Sequence, residues 1–89
     1  KNTMIIKAKK TIVSVSIKTT DEFKGKLYNG NDKAYMLNGT TQVSIKKVND
    51  TNVKFEPLSN STVTLVNDFT ENKGGTQLRI SAITITYAK

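Results

Sequence analysis

The sequence predicts an all-β domain, an antiparallel β-sandwich of jelly-roll type with about eight short strands and no substantial helix. Three observations predict it. Thirteen Thr, nine Asn and six Ser occupy 28 of the 89 positions; Thr is β-branched and suits strands, whereas Asn and Ser settle in turns. Apolar residues recur with a period of two, which is the pattern of half-buried strands. Turn signals come every eight to twelve residues or so. No stretch of three helical turns carries apolar residues at i, i+3, i+4 and i+7. With 89 residues, and with no internal repeat or linker, the chain reads as one domain spanning 1–89.

Each element follows from local chemistry. Asn2 to Ala8 sets Met4, Ile6 and Ala8 on one side, and Lys9-Lys10 reads as a basic turn. The next strand places Val13, Val15 and Ile17 opposite Ser14, Ser16 and Lys18, and Thr20-Asp21-Glu22 ends it. Phe23 to Tyr28 is a short segment anchored by Phe23 and Leu27. Asn29-Gly30-Asn31-Asp32 is a turn, because Asn and Gly tolerate positive φ. Ala34 to Leu37 and Thr40 to Lys47, the latter with Val43 and Ile45 inward, flank Asn38-Gly39, a strong hairpin signal.

After a turn at Val48-Asn49-Asp50, Thr51 to Glu56 alternates Val53 and Phe55 with polar residues. Pro57 lacks an N–H and closes that strand. Ser59 to Ser61 is a loop, Thr62 to Asn67 puts Val63 and Leu65 on one face, and Asp68 to Gly75 is a long polar interval. In the last strand, Thr76 to Tyr87, Leu78 and Ile80 share one parity while Ile83, Ile85 and Tyr87 share the other. Side chains alternate strictly along a regular strand, so either both faces of this strand are covered or, the favoured reading, a bulge or bend near Ser81-Ala82 shifts the phase by one. Val13, Val15, Ile17, Val43, Ile45, Val53, Phe55, Val63, Leu65, Ile80, Ile83 and Ile85 form the expected core, and Tyr87 reads as core as well.

Composition excludes whole classes of chemistry. The chain has neither Cys nor His, so disulfides, zinc sites built on thiolate or imidazole, and Ser-His or Cys-His pairs are absent. The longest apolar run, Ala34 to Leu37, falls far short of the roughly 20 residues a membrane helix needs. Lys1 to Lys10 lacks the apolar centre of a signal peptide. A start at Lys1 rather than Met reads as a processed or excised piece. The net charge is +7, and all but one of the fourteen basic residues are Lys. Nucleic-acid readers favour the planar fork of Arg. Scattered Lys fits a solvated face and guarded sheet edges better.

The seven acids, all but Glu56 in turns, read as turn formers rather than as a glycosidase pair held about 5 to 10 Å apart. No organic cofactor is implied. Structural calcium takes oxygen ligands from loops. Its candidate clusters are Asn29, Asn31 and Asp32; Asn49, Asp50 and Asn52; and Asn67, Asp68 and Glu71. Asp68 and Glu71 are the favoured metal ligands. Tyr28 and Tyr35 flank the 29–33 turn and could form an aromatic rim for a sugar, with Asn29, Asn31 and Asp32 supplying hydrogen bonds. Asn38, Asn49 and Asn60 each match the N-glycosylation pattern, a frequent chance match in a chain this rich in Asn and Thr.

The ending Thr76-Gln77-Leu78-Arg79-Ile80-Ser81-Ala82-Ile83-Thr84-Ile85-Thr86-Tyr87 resembles the closing strand of small C-terminal β-sandwich accessory modules of Bacteroidetes surface and secreted proteins. Asn2 to Lys7 followed by Ile12 to Ile17 resembles their first hairpin, and Thr51 to Glu56 or Thr62 to Asn67 their penultimate strand. The resemblance implies a jelly-roll, galactose-binding-like architecture and an extracellular or cell-surface setting. This chain differs in being Lys-rich and in lacking Trp. The expected function is a non-catalytic binding or spacer module whose partner is a glycan or a surface protein, without membrane insertion. Two other readings are a basic OB-like barrel on single-stranded nucleic acid and a purely structural assembly module.

Overall fold

The computed structural model describes residues 2–21, 24, 25, 27–30, 33–67 and 78–89. They form seven strands: β1 (Asn2–Thr19), β2 (Tyr35–Asn38), β3 (Thr41–Ser44), β4 (Lys46–Asn49), β5 (Asn52–Phe55), β6 (Asn60–Asn67) and β7 (Ile80–Tyr87). Among the described residues there is no helix. Every pairing is antiparallel, in the order β3-β2-β6-β1-β5-β4 with β7 also on β1. The sheet curls until it is nearly closed, like a barrel, and it has seven strands where about eight were expected.

One strand organises the rest. At about 3.3 Å per residue, the 18 residues of β1 would span about 56 Å if straight, yet the longest extent of the molecule is 41 Å. The strand therefore bends, and its register slips between Lys7 and Ile12 against β6 and between Ile12 and Ser14 against β7. Extra residues on one side of a ladder produce such a bend. The turn expected at Lys9-Lys10 does not form, and neither does the expected first hairpin. No Gly, Pro, Asn or Asp lies between Ala8 and Ile12 to reverse the chain, so it runs through with both lysines exposed.

One edge of β1 is lined first by β5 (Val15 opposite Phe55) and then by β6 (Ile6 opposite Val63). Between those two strands Pro57 interrupts the ladder, and the Leu58 N–H donates to the Val13 carbonyl at 2.9 Å. The opposite edge of the C-terminal half of β1 holds β7. The expected hairpin forms between β2 and β3, with Asn38 paired to Thr41 and Gly39 at φ +64°. The return strand expected over Thr40 to Lys47 is two strands: β3 pairs β2, and β4 pairs β5. The chain crosses between them at Ile45, whose N–H bonds to the Ala34 carbonyl at 3.1 Å.

The core gathers Ile12, Val15 and Ile17 of β1, Met36 of β2, Val53 and Phe55 of β5, Leu58, and Val63 and Leu65 of β6. Ile12 is fully buried while Val13 is only half-buried, because the slip beside Val13 moves the inward phase by one residue. Val43, Ile45 and Ile85 pack against this core while partly exposed. The expected bulge in the last strand is present. Lys18 pairs with Ala82 and Thr19 with Ile80, so Ser81 is skipped, and its hydroxyl donates to the Lys18 carbonyl at 3.1 Å.

Three expected core residues of that strand are not buried: Ile80, Ile83 and Tyr87 are 36%, 38% and 41% exposed. Ile83, Ile85 and Tyr87 do lie on the inward face, opposite Ile17, Val15 and Ile12. Among the described residues, however, β7 has a neighbour on one edge only. Burial predicts the energetic hierarchy. Phe55→Ala should lower unfolding free energy by about 3–5 kcal/mol in a denaturant titration, whereas Ile5→Ala, at a 61% exposed position, should change it by less than about 1 kcal/mol.

Candidate functional site

The residues expected to meet a ligand part company in the structure. Tyr28 and Asn29 are buried, Tyr35 is half-buried on β2, and Asn31, Asp32, Asp68 and Glu71 lie outside the described residues. Tyr28 offers no open ring to a sugar, because the Arg79 guanidinium sits 4.1 Å from its centroid. That stacking is a cation–π contact. The backbone joins the same two residues, since the Arg79 N–H donates to the Tyr28 carbonyl at 3.0 Å. Asn29 bridges to Leu78 and sends its side-chain amide to the Asp50 carbonyl at 3.2 Å. The Lys47 ammonium donates to the Gly30 carbonyl at 3.4 Å. Residues 28–30 are thus clamped between the β4–β5 turn and the start of β7.

Gly30 serves this clamp through its backbone. Its φ is +88°, and a Cβ there would meet Asn67, Ile45 and Leu78 only at an ordinary 3.5 Å, so conformation rather than space selects glycine. Asn67 and Leu78 also border a pocket of about 90 Å³, together with Thr3, Met4, Leu65 and Ile80. Small-molecule sites usually enclose about 300–1,000 Å³. This dimple, lined by Thr3 and Asn67 as well as apolar side chains, is several-fold smaller than that.

In the Asn49, Asp50 and Asn52 cluster, the Asn49 side-chain oxygen is engaged within the turn itself. Asn49 Oδ1 accepts from the Thr51 N–H at 3.0 Å and from Asn52 Nδ2 at 2.9 Å, which is the bonding of an Asx turn. Among the described residues no group of three or more Asp, Glu, His or Cys side chains could hold a metal ion. Among the described residues, Glu56 is the acid whose carboxyl is shifted from its ordinary value. A 2.8 Å hydrogen-bonded ion pair with Lys54 holds its carboxyl below the usual carboxylate range, against some desolvation, with help from the Ser14 hydroxyl and the charge of Lys46.

A second arrangement went unread in the sequence because register creates it. Residues directly opposite across a ladder share a face. Ser44, Tyr35, Val66 and Thr3 form one row across β3, β2, β6 and β1, and Gln42, Leu37, Thr64 and Ile5 form the next. Both rows lie on the face opposite the core residues Met36, Val63 and Leu65. Thr3, Ser44, Gln42 and Ile5 are exposed, Tyr35, Leu37 and Thr64 half-buried, and Val66, between Tyr35 and Thr3, buried. Hydroxyl, amide and apolar groups alternate over this outer face.

No known protein family, curated protein or solved structure matches the chain. Among the described residues, no helix is long and apolar enough to cross a membrane.

Two outcomes are expected. Gly30→Ala forces an L-residue into the left-handed region and should cost about 1–2 kcal/mol in a urea titration. Because the Glu56 carboxyl is held below its ordinary value near 4.5, its stabilising contribution is complete above that value and is lost as pH falls through the lower folded value. The melting temperature of Glu56→Gln should accordingly sit below that of the native chain at pH 7, and the two should converge toward pH 3.

Proposed function

We propose that this chain is a non-catalytic β-module of a bacterial surface or secreted protein that binds through an exposed sheet face, with a glycan as the ligand class. Its finer architecture is read as a jelly-roll-like sandwich in which two four-stranded halves share β1. The observation that carries the proposal is the outer face of β3, β2, β6 and β1, where Tyr35 lies directly opposite Ser44 and Val66, Gln42 and Thr64 lie diagonal to it, and Thr3 lies beyond Val66. A sugar ring offers an apolar face and a rim of hydroxyls. A tyrosine edge supplies the apolar contact, and amide and hydroxyl side chains satisfy the rim. The absence of His and Cys from the whole chain and the small size of the pocket beside Leu78 favour surface binding over turnover.

Nearly complete barrel closure and the directly paired Lys46 and Lys54 keep an OB-like reading in view, with single-stranded nucleic acid as ligand. Such sites stack bases on several open aromatic rings; here Tyr28 and Phe55 are buried, Tyr35 is half-buried, and Tyr87, 41% exposed, lies on the inward face of β7. A glycan array read in parallel with a single-stranded DNA titration separates the two. The expected result is retention of a subset of glycans by the native chain and at least a tenfold loss in Tyr35→Ala, since aromatic stacking is worth about 1–1.5 kcal/mol and its hydrogen-bonding tip adds more. A blank array overturns the proposal, as does DNA affinity that falls steeply with salt.

A further inference from the structure

Register gathers a second group of polar side chains, at the other end of β1 from Tyr35. Lys46, Lys54, Ser16 and Thr84 form one row across β4, β5, β1 and β7, and Asn52, Lys18 and Ala82 form the next across β5, β1 and β7. Their neighbours along the strands, Val15, Ile17, Val53 and Phe55, belong to the core. Successive side chains point to opposite faces, so both rows lie outside. Lys18, Lys46 and Thr84 are exposed, and Ser16, Asn52 and Lys54 half-buried.

The lysines of this face are closer than scattered charge requires. Lys46 lies directly opposite Lys54, and Lys18 lies diagonal to Lys54. Like charges directly opposite across a ladder are destabilising. One carboxylate offsets them. Glu56 pairs with Lys54 at 2.8 Å and also feels the charge of Lys46. Among the described residues Lys18 and Lys46 form no ion pair. Three ammonium groups therefore surround one acid, and the face keeps an excess of positive charge that a bound anion would relieve.

From this arrangement we propose that the outer face of β4, β5, β1 and β7 binds an acidic polysaccharide, one whose sugar units carry sulfate or carboxylate groups. The side chains present select this ligand among polyanions. Neither row holds an aromatic ring, so bases have nothing to stack on. Neither holds Arg, whose planar fork pairs bidentately with phosphate and guanine. With Ala82 as its one apolar residue, the pair of rows offers little area to bury in a membrane surface. Ser16 and Thr84 extend the lysine row with hydroxyls, which both donate to and accept from sugar hydroxyls. This site is separate from the face around Tyr35 and does not rest on it.

Titrations with dextran sulfate, neutral dextran and single-stranded DNA at about 50 and about 200 mM salt test the proposal. The native chain should bind dextran sulfate with an affinity that falls as salt rises, leave neutral dextran unbound, and bind the DNA at least about tenfold more weakly. Lys18→Gln combined with Lys46→Gln keeps the Lys54–Glu56 pair and should weaken dextran sulfate binding about tenfold or more. Lys7→Gln combined with Lys9→Gln removes the same charge from the N-terminal half of β1. It should weaken binding less than about threefold, because exposed charges away from the site are screened. Tyr35→Ala should leave dextran sulfate binding unchanged, so this site and the face around Tyr35 can fail independently. No binding of dextran sulfate overturns the proposal. So does an equal loss in the two double variants, a comparable loss in Tyr35→Ala, or DNA bound as tightly as the sulfated polymer.

Discussion

The fold depends on a single extended segment whose backbone is paired along both of its edges. Residues Val15 to Lys18 of β1 meet β5 on one side and β7 on the other, while its N-terminal half meets β6. Backbone N–H and C=O groups must be satisfied wherever they are buried, and here one strand satisfies those of three others. Its bend then decides the rest. Because β1 turns near Lys7 to Ser14, the strands aligned on it turn as well, and a sheet with free edges becomes an almost closed one around Phe55, Ile12 and Ile17.

Much of this was legible in the sequence. Period-two alternation located Val53 and Phe55, Val63 and Leu65, and Val15 and Ile17, all of which are buried. The parity conflict between Ile80 and Ile83 located the bulge at Ser81. What failed shares one physical cause. Local patterns report which residues alternate, not which strand lies beside them. Lys9-Lys10 resembled a turn only because charge interrupts the apolar pattern. The slip at Val13, the crossing at Ile45 and the one-sided exposure of β7 are all consequences of partners remote in sequence.

The candidate site repeats that lesson. Tyr28 and Tyr35 are seven residues apart and flank an Asn-Gly turn, which favoured a shared rim. Arg79, contributed from far along the chain, covers the first ring, and β2 presents the second on its outer face. Arg79 is the one arginine among fourteen basic residues, and that singularity was the available hint that it has a defined place. The face around Tyr35 was invisible beforehand, since Gln42, Thr64 and Thr3 become neighbours only through the registers of β2, β3 and β6.

The contact between Ser81 and the Lys18 carbonyl joins residues 63 positions apart, and β7 closes against β1. Loop-closure entropy must be met before such remote pairings stabilise anything, and domains dominated by them fold in milliseconds to seconds rather than microseconds. During synthesis the earlier strand therefore waits, extended and apolar, for a segment made more than 60 residues later. In that interval its exposed isoleucines and valines are the ones a chaperone or a neighbouring nascent chain would encounter.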